Sequence, residues 1–327
     1  MDYNSWMQKF QALQHSGSKS SPTILTLTTI LLWSFGSLLA RLVAMQSAFV
    51  LLAISFLFSF ITILIYLLVS RQISFSWFRK LPFLHLLIAP LGYFVYAVAI
   101  NQSSRAFDSI SETTILNNTW PIFTVLFSEL FSAHTKPGIT RLFEAAGILL
   151  GFFAILNLVT GGHYSLIQLN LPGVLWGLLA GVSYGLFGAY SGTLTDRDQK
   201  GFLLLAIFMS VVLIIPPALI EMGRVAPITP KDLLAAFAMG ALLDGVGYIL
   251  WTRAIRISRE RESRIATIAS LMFLLPFLNL IWVNLFLKEN KLTQSFFLIS
   301  LMLLVISNLV IQTTPWCANL VRKKFKK

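Results

Sequence analysis

Residues 46–69 read QSAFVLLAISFLFSFITILIYLLV, a run without one charged side chain. As a helix it would rise ~36 Å at 1.5 Å per residue, and a span of the hydrocarbon core needs about 20 such residues. No water inside a bilayer satisfies backbone N–H and C=O groups, so a segment of this kind crosses as a helix. Comparable runs lie on either side, at 22–40, 82–101, 108–133, 140–159, 172–190, 201–221, 232–252, 264–287 and 292–313. Ten spans are predicted. The alternating ten-residue segments of a membrane β-barrel are absent, and the short connections leave no room for an inserted soluble domain.

Composition points the same way. Hydrophobic residues make up 56% of the 327 and charged residues 12%, where a soluble domain carries roughly 45–50% and about 25%. Soluble enzymes and disordered chains are excluded. A lone cysteine, Cys317, rules out a disulfide framework and a cysteine-built metal site.

The net charge of +12 has a positional explanation. Alternate loops hold Lys9 and Lys19; Arg71, Arg79 and Lys80; Lys136 and Arg141; Arg197 and Lys200. They also hold Arg253, Arg256, Arg259, Arg261 and Arg264, and the basic tail from Arg322 to Lys327. That is 19 basic residues, against 6 (Arg41, Arg105, Arg224, Lys231, Lys288, Lys291) in the other loops, which accounts for all 25. The bias places both termini in the cytoplasm and the loop at 160–171 outside, so the positive charge is topological and nucleic acid is not a partner. The arginine cluster at 253–264, interleaved with Glu260 and Glu262, is a candidate for anionic lipid headgroups. Residues 1–21 form a cytoplasmic tail, in which Trp6, Phe10 and Leu13 share a helical face suited to the interface. The first span follows a long polar stretch and lacks a small-residue cleavage site, so it is a retained helix and not a signal peptide.

An internal repeat organises the spans. Gly92-Tyr93 in the third span recurs as Gly247-Tyr248 in the eighth, and Pro121 in the fourth recurs as Pro276 in the ninth, both at an offset of 155. The repeats are 22–159 and 172–313, followed by the tail 314–327. Five helices per half is an odd number, so the halves insert in opposite senses. The predicted fold is an all-α polytopic membrane protein of ten transmembrane helices in two inverted five-helix repeats, a construction recurrent in secondary transporters.

Short motifs sharpen this. Leu32-Trp33-Ser34, Gly92-Tyr93, and Asn117 with Trp120-Pro121 resemble the drug/metabolite transporter superfamily, and within it the EamA-type ten-helix permeases. The stretch from Glu112 through Asn117 and Trp120-Pro121 to Leu126 is similar in order and spacing to the bacterial aromatic amino acid exporters of that group. The second half departs, with Leu274-Leu275-Pro276 lacking the Asn and Trp ahead of its proline. The resemblance implies a multi-pass protein of the cytoplasmic membrane that exports small amphipathic metabolites, aromatic amino acids first.

Polar and aromatic residues at mid-depth are the candidates for a substrate cavity: Trp33, Ser34, Tyr93, Tyr96, Asn117, Trp120, Tyr184, Asp244 and Tyr248. Glu112, near the outer end of the fourth span, would meet a substrate ammonium or pair with Arg105. Asp244, the one acid near the membrane centre, shares a helical face with Tyr248, a candidate hydrogen-bond partner, and with Trp251. Trp251 itself falls close to the inner end and is read as an interfacial belt residue. Pro121 and Pro276 are expected to kink their spans. Glycines 173, 177, 181 and 185 form a helix-packing stripe, and His85 is read as a packed histidine.

No cofactor or metal site is expected, and no nucleotide-binding motif such as G-x-x-x-x-G-K-[ST] is present. Alternating access driven by an ion or substrate gradient is therefore the expected mechanism. An intramembrane enzyme would need a nucleophile–base pair or metal ligands at depth; H-E-x-x-H, G-x-S-x-G and paired aspartates are all missing. Nothing specific speaks for a membrane scaffold.

Overall fold

In the computed structural model the described residues are 21–36, 39, 48–69, 81–106, 116–117, 119–131, 138–159, 170–224, 227–260, 268, 270–287 and 295–324. Among them there is no β-strand. The helices are α1 (Pro22–Ser34), α2 (Ala48–Val69), α3 (Phe83–Ile88) and α4 (Phe94–Ala106), then α5 (Trp120–Leu130) and α6 (Gly138–Val159). They continue as α7 (Leu171–Ser191), α8 (Asp196–Met222), α9 (Pro230–Phe237), α10 (Tyr248–Glu260), α11 (Leu275–Leu287) and α12 (Ser295–Lys324).

Among the described residues, five stretches are long and apolar enough to cross a membrane: Phe49–Val69, Phe83–Ser103, Leu171–Ser191, Arg197–Met222 and Pro230–Ser258. The outer flanks are apolar, with Ile65, Leu68, Leu219 and Ile220 among the exposed residues, while Ser55, Ser59, Ser103 and Thr124 are fully enclosed. Polar groups in and hydrocarbon out is the arrangement a bilayer demands. This is a membrane protein.

Packing follows a pattern of exchanged partners. Helix α7 lies along α4 and α5, while α1 lies along α10 and α11; α2 runs beside α8, and α6 beside α12. The last pair is joined by Asn157 Nδ2 donating to Phe296 O (3.0 Å) and Ser300 Oγ (2.8 Å), and by Ser307 Oγ donating to Gly147 O (2.6 Å). In lipid, where apolar side chains gain little by associating, such small-residue contacts and interhelical hydrogen bonds hold helices together.

Four helices depart from the continuous spans expected. The third predicted span breaks: α3 tightens into a 3-10 turn at Ala89–Leu91, which carries Pro90, and restarts as α4 after Gly92-Tyr93. The eighth contains a π-helix over Ala238–Gly247 between α9 and α10. Here α2 comes so close that a Cβ on Gly240 would meet the Ser55 carbonyl, and one on Gly245 would lie 2.8 Å from Thr62. Pro121 and Pro276, expected to kink continuous helices, each occupy the second residue of a new one, α5 and α11. A turn at Thr119 and a 3-10 turn at Met272–Leu274 precede them. Proline lacks an N–H and so suits a first helical turn, where that donor has no intrahelical acceptor.

The glycine stripe of α7 does pack against a neighbour. Gly177 faces Leu116, Gly181 faces Thr119, and Gly185 faces Phe123. A Cβ on Gly185 would sit 2.9 Å from the backbone carbon of Phe123 and the backbone nitrogen of Thr124, which cannot swing aside. Gly185→Ala is expected to destabilise the purified protein by about 1–3 kcal/mol, the usual cost of overpacking, seen as a lower melting temperature. Gly138→Ala, where a Cβ meets nothing within 4 Å, is the control and should leave it unchanged.

Candidate substrate site at the helix interruptions

The two interrupted spans meet. Tyr93 and Tyr248 stack with ring centroids 3.9 Å apart at 25°, and their hydroxyls cross. Tyr93 donates to the carbonyl of Asp244 (2.8 Å), inside the π-helix, while Tyr248 donates to the carbonyl of Gly92 (2.6 Å), at the end of the 3-10 turn. Trp33 Nε1 donates to the neighbouring Leu243 carbonyl at 2.8 Å. Irregular backbone at membrane depth leaves carbonyls that must find donors elsewhere; here each interrupted segment accepts side-chain donors from across the contact. The flanking glycines permit the approach. A Cβ on Gly92 would enter the ring of Phe187 on α7, and one on Gly247 would meet the indole of Trp33 on α1.

Around this pair the predicted aromatic residues converge. Trp33 lies 5.5 Å from Tyr248, 5.9 Å from Tyr184 and 6.4 Å from Trp120. Tyr184 lies 5.0 Å from Trp120, 4.9 Å from Tyr96 and 5.5 Å from Tyr248. Trp251 belongs to the same cluster, 5.3 Å from Trp120 and 6.3 Å from Trp33, and is 0% exposed. It is therefore no belt residue. Most of these contacts are edge-to-face, the geometry that aligns a positive ring edge with a negative ring face.

The polar members are fewer. Asp244 is half-buried and lies within electrostatic reach of the Tyr93, Tyr96, Tyr184 and Tyr248 hydroxyls. Among the described residues no hydrogen bond or ion pair reaches its carboxylate. Tyr248, the expected partner, spends its hydroxyl on Gly92 instead. The Tyr96 hydroxyl and the Asn117 amide are hydrogen-bond neighbours. The buried Oδ1 atoms of Asn117 and Asn101, the Tyr184 hydroxyl and the Trp251 Nε1 have no protein partner among the described residues. Asn101 was not singled out from the sequence, although it lies eight residues beyond Tyr93, near the same helical face.

Ser34 has a structural setting. It is fully enclosed, donates to Leu31 O (2.7 Å) and accepts from Trp282 Nε1 (2.7 Å), joining α1 to α11. Glu112 lies outside the described residues. Arg105, its expected partner, pairs with Glu221 on α8 (3.2 Å), whose second oxygen accepts the Phe49 N–H (3.3 Å). His85 is packed as expected: it is buried, with Nδ1 2.9 Å from the Tyr190 hydroxyl and its ring against Phe202.

The cluster is closed at one end. Tyr93, Trp120, Tyr184, Tyr248 and Trp251 are buried, whereas Trp33, Tyr96, Asn101, Asn117 and Asp244 are half-buried. Beyond Trp251, toward Arg253, a second aromatic layer of Phe187, Phe202, Tyr190 and His85 seals the interior. Gln199 reinforces it by donating to Ser191 O on α7 (3.2 Å) and Thr252 O on α10 (2.7 Å). Flat aromatic walls, a lone carboxylate and unmatched amide acceptors suit a planar solute carrying N–H donors or an ammonium. Among the described residues no group of three or more His, Cys, Asp or Glu side chains is placed to hold a metal.

The sequence matches no protein-family model and no curated protein. Among solved structures 25 chains match. One, described only as "Crystal structure of protein", aligns over 90% of this chain and 99% of its own, at 19% identity and a TM-score of 0.71. At that identity the likeness extends to the fold alone, and the fold is one already seen in a solved protein.

Proposed function

We propose that the chain is a secondary transporter of the EamA type within the drug/metabolite superfamily. Its ten transmembrane helices would form two inverted five-helix repeats that export small amphipathic metabolites, aromatic amino acids first, across the cytoplasmic membrane. The observation that carries this reading is the cluster where the two interrupted spans cross. Unmatched polar atoms, a lone carboxylate and stacked aromatic rings lie at the junction of the halves, where broken-helix transporters bind substrate. The exchanged packing partners of α1 and α7 support the repeat, as do the crossed bonds of Tyr93 and Tyr248. The motifs that resemble the exporters fall on Trp33, Tyr93, Asn117 and Trp120, which meet in this cluster.

Alternating access fits the uneven burial. With the charge bias setting the Arg253 end in the cytoplasm, the aromatic layer of Phe187, Phe202, Tyr190 and His85 would close the cluster on the inner side. Substrate ammonium would meet Asp244, the aromatic ring would enter between Trp33, Trp120 and Tyr184, and N–H donors would satisfy Asn101 and Asn117. Differential affinity for the two conformations then drives the exchange. Asp244, costly to keep charged at depth by roughly 2.5–3.5 kcal/mol, would hold either a proton or the substrate ammonium.

Orientation is tested with single cysteines at two positions where a new side chain meets nothing within 4 Å. In a Cys317→Ser background, Gly223→Cys should react with an impermeant thiol reagent on intact cells, and Gly138→Cys only after permeabilisation. The reverse pattern overturns the topology.

Asn117→Leu removes the unmatched amide. It should lower solute flux in proteoliposomes several-fold at unchanged melting temperature; aggregation with normal flux per folded molecule would make Asn117 a helix-packing residue.

Asp244→Asn preserves shape and abolishes titration. Flux measured with and without a pH gradient should lose its pH dependence or fall strongly. Wild-type rate and pH profile in this variant would make Asp244 a buried structural acid.

A further inference from the structure

The groups that would meet the solute at Asp244, Asn101 and Asn117 are all hydrogen-bond acceptors. Trp251 Nε1 is the opposite kind of group. An indole N–H only donates. This one belongs to a side chain that is 0% exposed, and it has no acceptor among the described residues. A buried tryptophan usually gives its N–H a partner, and the other two of the site do so. Trp33 Nε1 donates to Leu243 O (2.8 Å), and Trp282 Nε1, which joins α11 to α1, donates to Ser34 Oγ (2.7 Å). The Trp251 donor is left open at the edge of the cluster.

Its position says which part of a solute it would meet. Trp251 follows Asp244 by seven residues, on the order of 10 Å of helix rise. Two walls bridge that interval. Trp120 lies 5.0 Å from Tyr184 and 5.3 Å from Trp251, and Trp33 lies 5.9 Å and 6.3 Å from the same rings. The Tyr184 hydroxyl is within electrostatic reach of Asp244 and so marks the carboxylate's end of the walls. Trp251 stands at the other. A solute with its ammonium at Asp244 and its ring between Trp33 and Trp120 turns the far edge of that ring toward Trp251. The carboxylate of an α-amino acid stays two bonds from its ammonium and does not reach so far; an oxygen on the far side of the ring does. We propose, resting on the reading of this cluster as a substrate site, that Trp251 Nε1 sets its specificity by donating to such an oxygen. The favoured solutes are then aromatic amines and amino acids hydroxylated on the ring. Their unsubstituted counterparts leave the indole N–H unmatched, and a polar group built to meet a hydroxyl discriminates against a ligand that lacks one.

The test is thermal unfolding of the full-length protein in detergent, titrated with matched pairs: L-tyrosine and L-phenylalanine, tyramine and phenethylamine. A ligand bound only by the folded form raises the melting temperature. The hydroxylated member of each pair should half-saturate at a concentration about tenfold lower, the usual worth of one matched buried donor. 4-Fluoro-L-phenylalanine fills similar space but accepts hydrogen bonds poorly, so it should behave as phenylalanine does; this comparison needs no variant. Trp251→Phe keeps a ring in place and deletes the N–H, and it should bring tyrosine to the level of phenylalanine. Equal binding within the pairs, a fluorinated ligand that binds as tyrosine does, or a preference that survives Trp251→Phe overturns the role of Trp251 and leaves an aromatic substrate site standing. No shift with any of these ligands overturns both. A preference lost in Trp251→Phe, in a protein that moves none of the ligands across a membrane, establishes the donor and overturns the transporter reading alone.

Discussion

The crossed pair of Tyr93 and Tyr248 is the contact on which the centre of this protein depends. A bilayer tolerates broken helices only where the freed carbonyls find donors. The 3-10 turn at Ala89–Leu91 and the π-helix at Ala238–Gly247 both free such carbonyls. Tyr93 serves the π-helix, Tyr248 serves the 3-10 turn, and Trp33 takes the carbonyl beside the first. A neutral hydrogen bond contributes ~1 kcal/mol net, but leaving a buried partner unmatched costs about 1–3 kcal/mol. Three such bonds across one contact therefore couple the two interrupted segments firmly at a single level, while glycines 92 and 247 let the backbone come close enough to form them.

From that contact the rest of the site follows. Holding the breaks together draws α1, α4, α5, α7 and α10 to one point, and each brings an aromatic side chain: Trp33, Tyr96, Trp120, Tyr184 and Trp251. Within this cluster, the buried polar atoms that have no hydrogen-bond partner among the described residues are those of Asn101, Asn117, Tyr184 and Trp251. A protein interior rarely keeps several such groups side by side without a role. Substrate contact accounts for them in the proposed transporter, because a solute with N–H donors completes what the protein leaves open. A second aromatic layer of Phe187, Phe202, Tyr190 and His85 packs beside the cluster.

Much of this was legible in the residues. Apolar runs announced the helices because length and hydropathy alone decide what hydrocarbon accepts. The 155-residue offset picked out Gly92-Tyr93 and Gly247-Tyr248, the two dipeptides that meet. Other features were hidden. Asp244 and Tyr248 were placed one α-helical turn apart, yet the segment is π-helical through Gly247, a consequence of how closely α2 packs on Gly240 and Gly245. Trp251 looked interfacial because depth was counted along a straight span, whereas the helix it sits on turns it into the cluster. Pro121 and Pro276 signalled interruptions, but whether a proline kinks a helix or starts one depends on the turn before it. The pairing of Arg105 with Glu221 joins residues 116 positions apart, which no local pattern reveals.

The central claim, that the aromatic and polar cluster is a transport site worked by alternating access, is tested most directly by counterflow. Proteoliposomes loaded with an unlabelled aromatic amino acid are diluted into a trace of the labelled compound. A carrier that exchanges solute from one side to the other accumulates label transiently above its outside concentration, and Trp120→Ala, which removes a wall of the cluster, should abolish the overshoot. Absence of any overshoot relative to protein-free liposomes, across aromatic amino acids and related amines, would contradict the account.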